Sequence, residues 1–355
     1  MHIFYTSSYD ASIYLQQPEQ NAGRDEILEV GKLYYGSTMD VARTLIKFNV
    51  SNLETGSGWK AYLNLKSANS EEIPLEYTIY ANAISQSWNM GTGTKFDNIT
   101  SDGVSWYYKN GTNKWMDYVA IPNSYVSGSD TGSISNGGGG TWYTASMASQ
   151  SFSNEPDDIR MDVTNIVNLW ISSSLGNNGF IIHHHTSASV DSNDYGVLKF
   201  FSKETDTIYQ PKLEIVWNDT SINTGSLAPT TGSAQDGYKV VLTNLKNKYI
   251  KDSKIKIRIK GRDMYPLKSF SNTFEYDQTK YLPSTTYYQL EDYVTSEVIY
   301  PFGIYTQLSC DSTSNYFNMN LNTLPANRTY KLKIKIVEGG ISTIIDDKLI
   351  FEIVE

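Results

Sequence analysis

The sequence predicts an all-β chain built as two sandwich domains, and three observations lead there. Short runs alternate apolar and polar residues with period two, the pattern of strands that bury one face of an antiparallel sheet. Clusters of Gly, Asn, Ser and Thr separate these runs as turns. The 355 residues also change character near residue 218: all seven tryptophans (Trp59, Trp88, Trp106, Trp115, Trp142, Trp170, Trp217) lie before it and none after. Such a step marks a boundary between separately built domains.

Charge divides at the same place. Up to Asn218 there are 13 Lys and Arg against 23 Asp and Glu, a balance of −10, whereas from Asp219 onward there are 16 against 15, or +1. Residues 218–233 are small and polar and are punctuated by Gly and Pro, as a linker or long surface connection would be. The expected organisation is therefore a first domain over 1–218, a linker over 219–235 and a second domain over 236–355.

In the first domain, residues 45–50, 61–65 and 75–80 alternate as half-buried strands. Turn clusters follow at 54–58 and 110–113, and the four glycines at 137–140 read as a loop tip long enough to be mobile. One segment breaks the rhythm. From Asp162 the apolar residues Val163, Ile166, Val167, Trp170 and Ile171 fall on one helical face. Asp162 or Thr164 caps its start, the segment 176–179 stops it, and Trp170 is its largest buried group. In the second domain strands are expected at 239–242, 254–260, 330–337 and 349–354, the last two pairing as a hairpin through Glu338-Gly339-Gly340. About 120 residues with few helix signals read as an immunoglobulin-like sandwich.

Composition also excludes function classes. The single cysteine, Cys310, has no partner for an internal disulfide. No apolar stretch approaches the roughly 18 residues of a membrane span, and the opening Met-His-Ile-Phe lacks the basic and apolar regions of a secretory signal. Neither membrane insertion nor signal-peptide export is expected.

Several phrases occur in a recognisable order: Asp10-Ala11-Ser12-Ile13-Tyr14, Leu28-Glu29-Val30-Gly31, Arg43-Thr44-Leu45-Ile46-Lys47-Phe48, then Asp162-Val163-Thr164-Asn165-Ile166-Val167, Gly179-Phe180-Ile181-Ile182, Phe201-Ser202-Lys203-Glu204 and Pro211-Lys212-Leu213-Glu214-Ile215-Val216. Over nearly all of 1–218 this resembles the DNRLRE-type β-sandwich, a jelly-roll akin to carbohydrate-binding domains of secreted bacterial enzymes and surface proteins. The resemblance implies an N-terminal jelly-roll with one helix. The second domain resembles the C-terminal domains of tailed-phage virion structural proteins, through Tyr287-Tyr288-Gln289-Leu290, Ile299-Tyr300-Pro301-Phe302, Leu308-Ser309-Cys310-Asp311, Asn315-Tyr316-Phe317 and Leu324-Pro325-Ala326-Asn327-Arg328-Thr329-Tyr330. A virion component is assembled in the host cytoplasm, which agrees with the lack of a signal peptide.

Among the side chains that carry chemistry, Trp106, Tyr107, Tyr108, Trp115, Trp142 and Tyr143 are a candidate platform, either for a protein interface or for stacking sugar rings; interface use is the preferred reading. In strand geometry Trp106 and Tyr108 share a face. His183 and His185 share one strand face with His184 opposite, but two imidazoles lack further ligands, so solvated or hydrogen-bonded strand residues are expected rather than a metal site. Asp157, Asp158, Asp162, Asp191 and Asp194 have no regular calcium-loop spacing and read as helix-start and loop carboxylates. The basic run Lys246, Lys248, Lys251, Lys254, Lys256, Arg258, Lys260 and Arg262 alternates with Ile255, Ile257 and Ile259, so a wet charged face is expected, open to acidic neighbours in other copies, and not a nucleic-acid surface. No nucleophile elbow, phosphate-cradling loop or Cys–His pair emerges, and Cys310 reads as a small buried residue.

The expectation is thus a non-enzymatic component of a tailed-phage virion, in capsid, neck or tail, that needs no cofactor. It would contact other virion proteins, including copies of itself. The alternative is a carbohydrate-binding or adhesion module for host glycans.

Overall fold

The computed structural model describes the whole chain except residues 36–37, 72, 116–119, 122–123, 128–137, 154–157, 185–193, 232–236, 267–277 and 323. Strand accounts for 51% of residues and helix for 4%, so the chain is all-β as its alternation predicts. No described helix is long and apolar enough to cross a membrane. Contacts divide the chain into an N-terminal unit, Tyr5–Leu53 with Lys60–Glu214, and a C-terminal unit, Ile215–Glu355 with Met1–Phe4 and Glu54–Trp59.

The N-terminal strands are β1 (His2–Tyr14), β2 (Ile27–Tyr35), β3 (Thr38–Phe48), β4 (Lys60–Leu65), β5 (Glu76–Ile84), β6 (Tyr108–Asn110), β7 (Asn113–Lys114), β8 (Ala120–Ile121), β9 (Ser124–Ser127), β10 (Trp142–Ser153) and β11 (Ile159–Asp162). After helix α1 (Thr164–Ile171) come β12 (Phe180–His184), β13 (Gly196–Phe201) and β14 (Lys212–Val216). They hydrogen-bond in the order β11-β4-β14-β1-β3-β12-β5-β10-β9-β8, while β2 links β3 to β13, and β6 pairs with β7 in a separate two-stranded sheet.

Strand β12 lies between β3 and β5 and is buried along its whole length. Alternation sends its side chains to two separate cores. Phe180 packs towards the helix, its ring centre 4.6 Å from that of Trp170 and 6.2 Å from that of Phe48. Ile181 points the other way, into a cluster with Ala11, Ile13, Leu45, Trp88, Trp106, Trp115 and Trp142.

Helix α1 buries Ile166, Val167 and Trp170 as its period predicts, but Ile171 is 45% exposed. It is the last helical residue and lies eight positions from Val163, about 80° around from it at 100° per residue, so it drifts off the buried face. The stop also differs from expectation: Ser173, with φ of 58°, takes the left-handed conformation before the glycines are reached. At the start, Asp162 accepts the backbone N–H of Thr164 at 3.1 Å, while Val163 is the capping residue and bonds through no side chain.

The C-terminal unit contains β15 (Tyr238–Leu242), β16 (Lys248–Ile250), β17 (Lys254–Asp263), β18 (Thr286–Asp292), β19 (Val298–Tyr300), β20 (Ser309–Cys310), β21 (Asn315–Asn320), β22 (Arg328–Glu338) and β23 (Ile341–Val354). They form a four-stranded sheet β15-β17-β21-β20 and a five-stranded sheet β16-β23-β22-β18-β19. That is the immunoglobulin-like order, including an early short strand, β16, that runs parallel to the last strand. Ile257, Ile259, Leu290, Tyr300, Phe317, Leu332, Ile334, Ile336 and Phe351 fill the space between the sheets. The Tyr330 hydroxyl, near the start of β22, donates to the Pro325 carbonyl at 3.1 Å, which makes a tyrosine corner. The predicted hairpin is β22–β23, turned by Gly339 and Gly340 with φ of 57° and 81°, as a two-residue loop of the primed type requires.

The stretch expected as a linker is laced onto the C-terminal unit where it is described. Ile222 bridges Cys310, Pro229 bridges Tyr281, and Thr231 N–H donates to Asp263 at 2.9 Å. Its polar backbone finds partners along the strand edges rather than in solvent.

Tyr330→Phe removes the corner hydrogen bond and leaves a carbonyl unpaired, so it should cost about 1 kcal/mol. Urea unfolding followed by a C-terminal probe, with the N-terminal transition as internal control, checks this.

Candidate functional site

The expected aromatic platform is a core. Trp106, Trp115 and Trp142 are 1%, 2% and 1% exposed, and Tyr143 is buried with them. Only Tyr107 and Tyr108 are half-buried. Trp106 precedes β6 and sits in a turn, so period-two alternation does not govern its direction. Trp106 and Trp115, from outside the large sheet, pack with Trp142 of β10 against Ala11, Ile13, Leu45 and Ile181. The platform reading is therefore corrected for Trp106, Trp115, Trp142 and Tyr143, since a ring enclosed on both faces offers nothing for a sugar or a partner to stack on.

A charge is enclosed with these rings. Arg43 on β3 places its guanidinium 4.9 Å from the Trp106 ring and 5.0 Å from the Trp142 ring. It donates to the Gly139 carbonyl at 2.7 Å. Cation–π contact with two desolvated indoles and a hydrogen bond together stabilise a buried charge that would otherwise be costly. The carbonyl belongs to the glycine run, whose described members, Gly138, Gly139 and Gly140, are buried rather than a mobile tip. At Gly138, with φ of 141°, a Cβ would approach Trp106 to 2.7 Å, so the turn closes on the indole only because no side chain intervenes.

Of the histidines, His183 and His184 are buried, while His185 lies outside the described residues. His183 Nε2 is 3.0 Å from Asn82 Oδ1 and its ring lies 4.8 Å from Trp142, which bears out hydrogen bonding but not solvation. His184 has no partner on either ring nitrogen and packs 4.9 Å from Tyr195. Burial, and then the charge of Lys32, lower its pKa to about 3, which keeps it neutral. Among the described residues no group of three or more His, Cys, Asp or Glu side chains is arranged to hold a metal ion.

Asp157 and Asp191 lie outside the described residues. Asp158 accepts from Lys66 and from the Ser67 N–H, both at 2.8 Å; Asp162 pairs with Lys60 at 3.1 Å; Asp194 accepts the Tyr34 N–H at 2.6 Å. Each satisfies local donors. In the basic run, Ile257 and Ile259 point inward as expected. The charged face is partly neutralised from within its own unit: Lys254 pairs with Glu54 at 2.6 Å, and Lys256 and Arg258 pair with Asp311 at 3.1 and 2.9 Å. Cys310 is buried, and burial raises its thiol pKa, as suits a small core residue.

Sequence reasoning missed a polar cleft of about 210 Å³ in the N-terminal unit. Strands β2, β3 and β13 frame it, and Lys95 and Phe96 close one side. Lys95 pairs with Glu29 at 2.6 Å and lies 4.3 Å from the Tyr14 ring; Lys199 pairs with Glu71 at 2.5 Å. Asp25 accepts the Lys95 N–H at 3.1 Å, and Gln20 donates to the Thr94 carbonyl at 2.5 Å, so the loop bearing Phe96 is pinned. Tyr14 is buried with its hydroxyl bonded towards Ser12 and Glu29, and the Asp40 carboxylate accepts from the backbone of Gln16 and Val41. Burial, reinforced by Glu29, pushes the Tyr14 pKa well above 10, and burial raises that of Asp40. The residues are scattered from 14 to 199, and no local motif announces them.

No family model matches the chain, and no curated protein matches it. Among solved structures it is similar to a DUF4785 family protein from Legionella pneumophila, with 11% identity and a TM-score of 0.18. The match covers 99% of this chain and 62% of that one, so the chain spans less than two thirds of that protein.

Trp106→Ala should cost about 3–5 kcal/mol in unfolding experiments, as loss of a core indole does, without needing any partner to reveal the effect. His184 should make stability fall with acid. Its native pKa lies below the unfolded value, so from about pH 6.5 down towards 3 only the unfolded chain takes up this proton. The loss between pH 7 and 5 should be smaller in His184→Leu, measured by urea unfolding at both values.

Proposed function

We propose that the chain is a non-enzymatic structural component of a tailed-phage virion, in the capsid surface, neck or tail, and that it works through protein–protein contacts in a multi-copy assembly. One observation carries this reading. On the outer face of the β22–β23 hairpin, Ile344 stands opposite Lys335 and Ile350 opposite Lys331, and the two isoleucines are 55% and 39% exposed. Ion pairs surround them: Lys331–Asp346 at 2.5 Å, Lys333–Glu291 at 2.6 Å and Lys248–Glu352 at 2.9 Å. Apolar side chains within a charged rim are the composition of a contact surface.

Two further points support it. The phrases between Tyr287 and Tyr330 that resemble virion proteins fall in this immunoglobulin-like unit. The aromatic residues that a glycan platform would expose are interior, which weakens that form of the alternative. In a repeating assembly a modest patch suffices, because each added copy binds at high effective concentration.

The test is incorporation. Mass spectrometry of purified particles should find the chain, and the double variant Ile344→Glu, Ile350→Glu should keep the melting behaviour of the wild type while its incorporation drops at least about tenfold. Particles that lack the chain, or that take up the variant normally, would overturn the proposal.

A further inference from the structure

The five-stranded sheet of the C-terminal unit buries two polar residues on its outer face. Gln289 and Glu291 of β18 are 9% and 7% exposed. Residues two apart on a strand share a face, so both point away from the core that Tyr288 and Leu290 enter. Gln289 stands directly opposite Lys333 of β22, and Val298 of β19 stands opposite Glu291. Opposed residues of an antiparallel pair hold their Cβ atoms about 4.5–5.5 Å apart, which brings a lysine amine within reach of a glutamine amide.

Glu291 bridges these two groups. Its Oε1 accepts from Lys333 Nζ at 2.6 Å and also from Gln289 Nε2. One carboxylate oxygen therefore touches an amine on one strand and the nitrogen of an amide on the next, which places an acid–base group between a nucleophile and a leaving group. Glu214 in the N-terminal unit shows what this arrangement needs. It gathers Asn64 and Arg160 in a similar way, but a guanidinium keeps its charge and is no nucleophile.

We propose that Lys333 and Gln289 join in an intramolecular isopeptide bond, with Glu291 carrying the protons. Glu291 takes a proton from the Lys333 ammonium, the freed Nζ attacks Gln289 Cδ, and the Cδ–Nε2 bond breaks. Two protons pass in all from Nζ to Nε2, so the products are one amide and one ammonium ion, and no oxidant or co-reactant is required. Strand register holds amine and amide together, and groups oriented in this way react at effective concentrations of about 10⁵ M or more. The bond ties β18 to β22 and closes a loop through β19, β20 and β21, which constrains the unfolded chain as a disulfide would. It is independent of the assembly role, whose charged rim keeps Lys331–Asp346 and Lys248–Glu352 when Lys333 is consumed.

The experiment is intact mass spectrometry and peptide mapping of the purified full chain, held folded for several days at mildly alkaline pH. The mass should fall by about 17 Da, one ammonia, and digestion should release a branched peptide that joins Gln289 to Lys333. Lys333→Arg keeps the cation and its carboxylate partner but cannot form the amide, so it should keep the full sequence mass. Glu291→Gln keeps the shape and removes the proton carrier, and its cross-linking should slow at least about a hundredfold. A wild-type chain of full mass would overturn the bond and leave the assembly role untouched. Loss of ammonia that persists in Lys333→Arg, or that maps to another place such as Asn110-Gly111, would overturn it as well, and so would undiminished cross-linking in Glu291→Gln.

Discussion

Strand β12 has no wet face, and that constraint organises the N-terminal unit. A strand buried along its whole length needs a core on each side of the sheet, and the chain supplies two of different character. Phe48, Phe180 and Trp170 fill one side. The other is filled by tryptophans from the stretch after β5, and these would be exposed if the sheet's outer side faced solvent, as one face of an antiparallel sheet commonly does. Two indole faces and the Gly139 carbonyl around its guanidinium help to offset the cost of enclosing Arg43 in that second core.

The strands were legible because burial follows period two wherever one face is wet. Strand β17 shows it most plainly, with Ile257 and Ile259 inward between Lys256, Arg258 and Lys260. The hairpin turn was legible because two adjacent residues with positive φ call for Gly-Gly. The aromatic group was misread for a physical reason. Alternation describes a strand, but Trp106 lies in a turn before β6, and nothing local in the sequence says that this turn folds back over the sheet. The glycines at 138–140 were misread with it, since a glycine run permits close approach to an indole as readily as it permits mobility. The cleft was beyond reach because its lining, scattered from Tyr14 to Lys199, comes together only once β1, β2, β3 and β13 have paired.

Charge plays a smaller part than composition suggests. Lys248, Lys254, Lys256 and Arg258 of the basic run each meet a carboxylate of their own unit, at partly or fully exposed positions. Pairs of this kind contribute little to stability, typically about 0–1 kcal/mol each. Their effect is to reduce the open positive surface on β17. The hairpin face of β22–β23 differs, because there the charges surround exposed isoleucines instead of one another alone.

The tryptophan core and the polar cleft are linked through register. On β1, Ile13 enters the core and Tyr14 the cleft; on β3 their partners Arg43 and Ala42 make the same choice. Successive side chains point to opposite faces, so one pairing decides both. That pairing is adjusted by a bulge: Ser7 faces Phe48 and Tyr9 faces Lys47, so two steps along β1 match one along β3. Without the extra residue, every β1 side chain beyond it would stand opposite a different neighbour on β3. Ile13 would then compete for the polar face and the Tyr14 hydroxyl for the indoles, and burying that hydroxyl among apolar rings would cost more than the cleft does. The same register that hides the tryptophans thus turns Tyr14 and Ala42 towards the cleft, and the aromatic core and the polar cleft are two faces of one strand pairing.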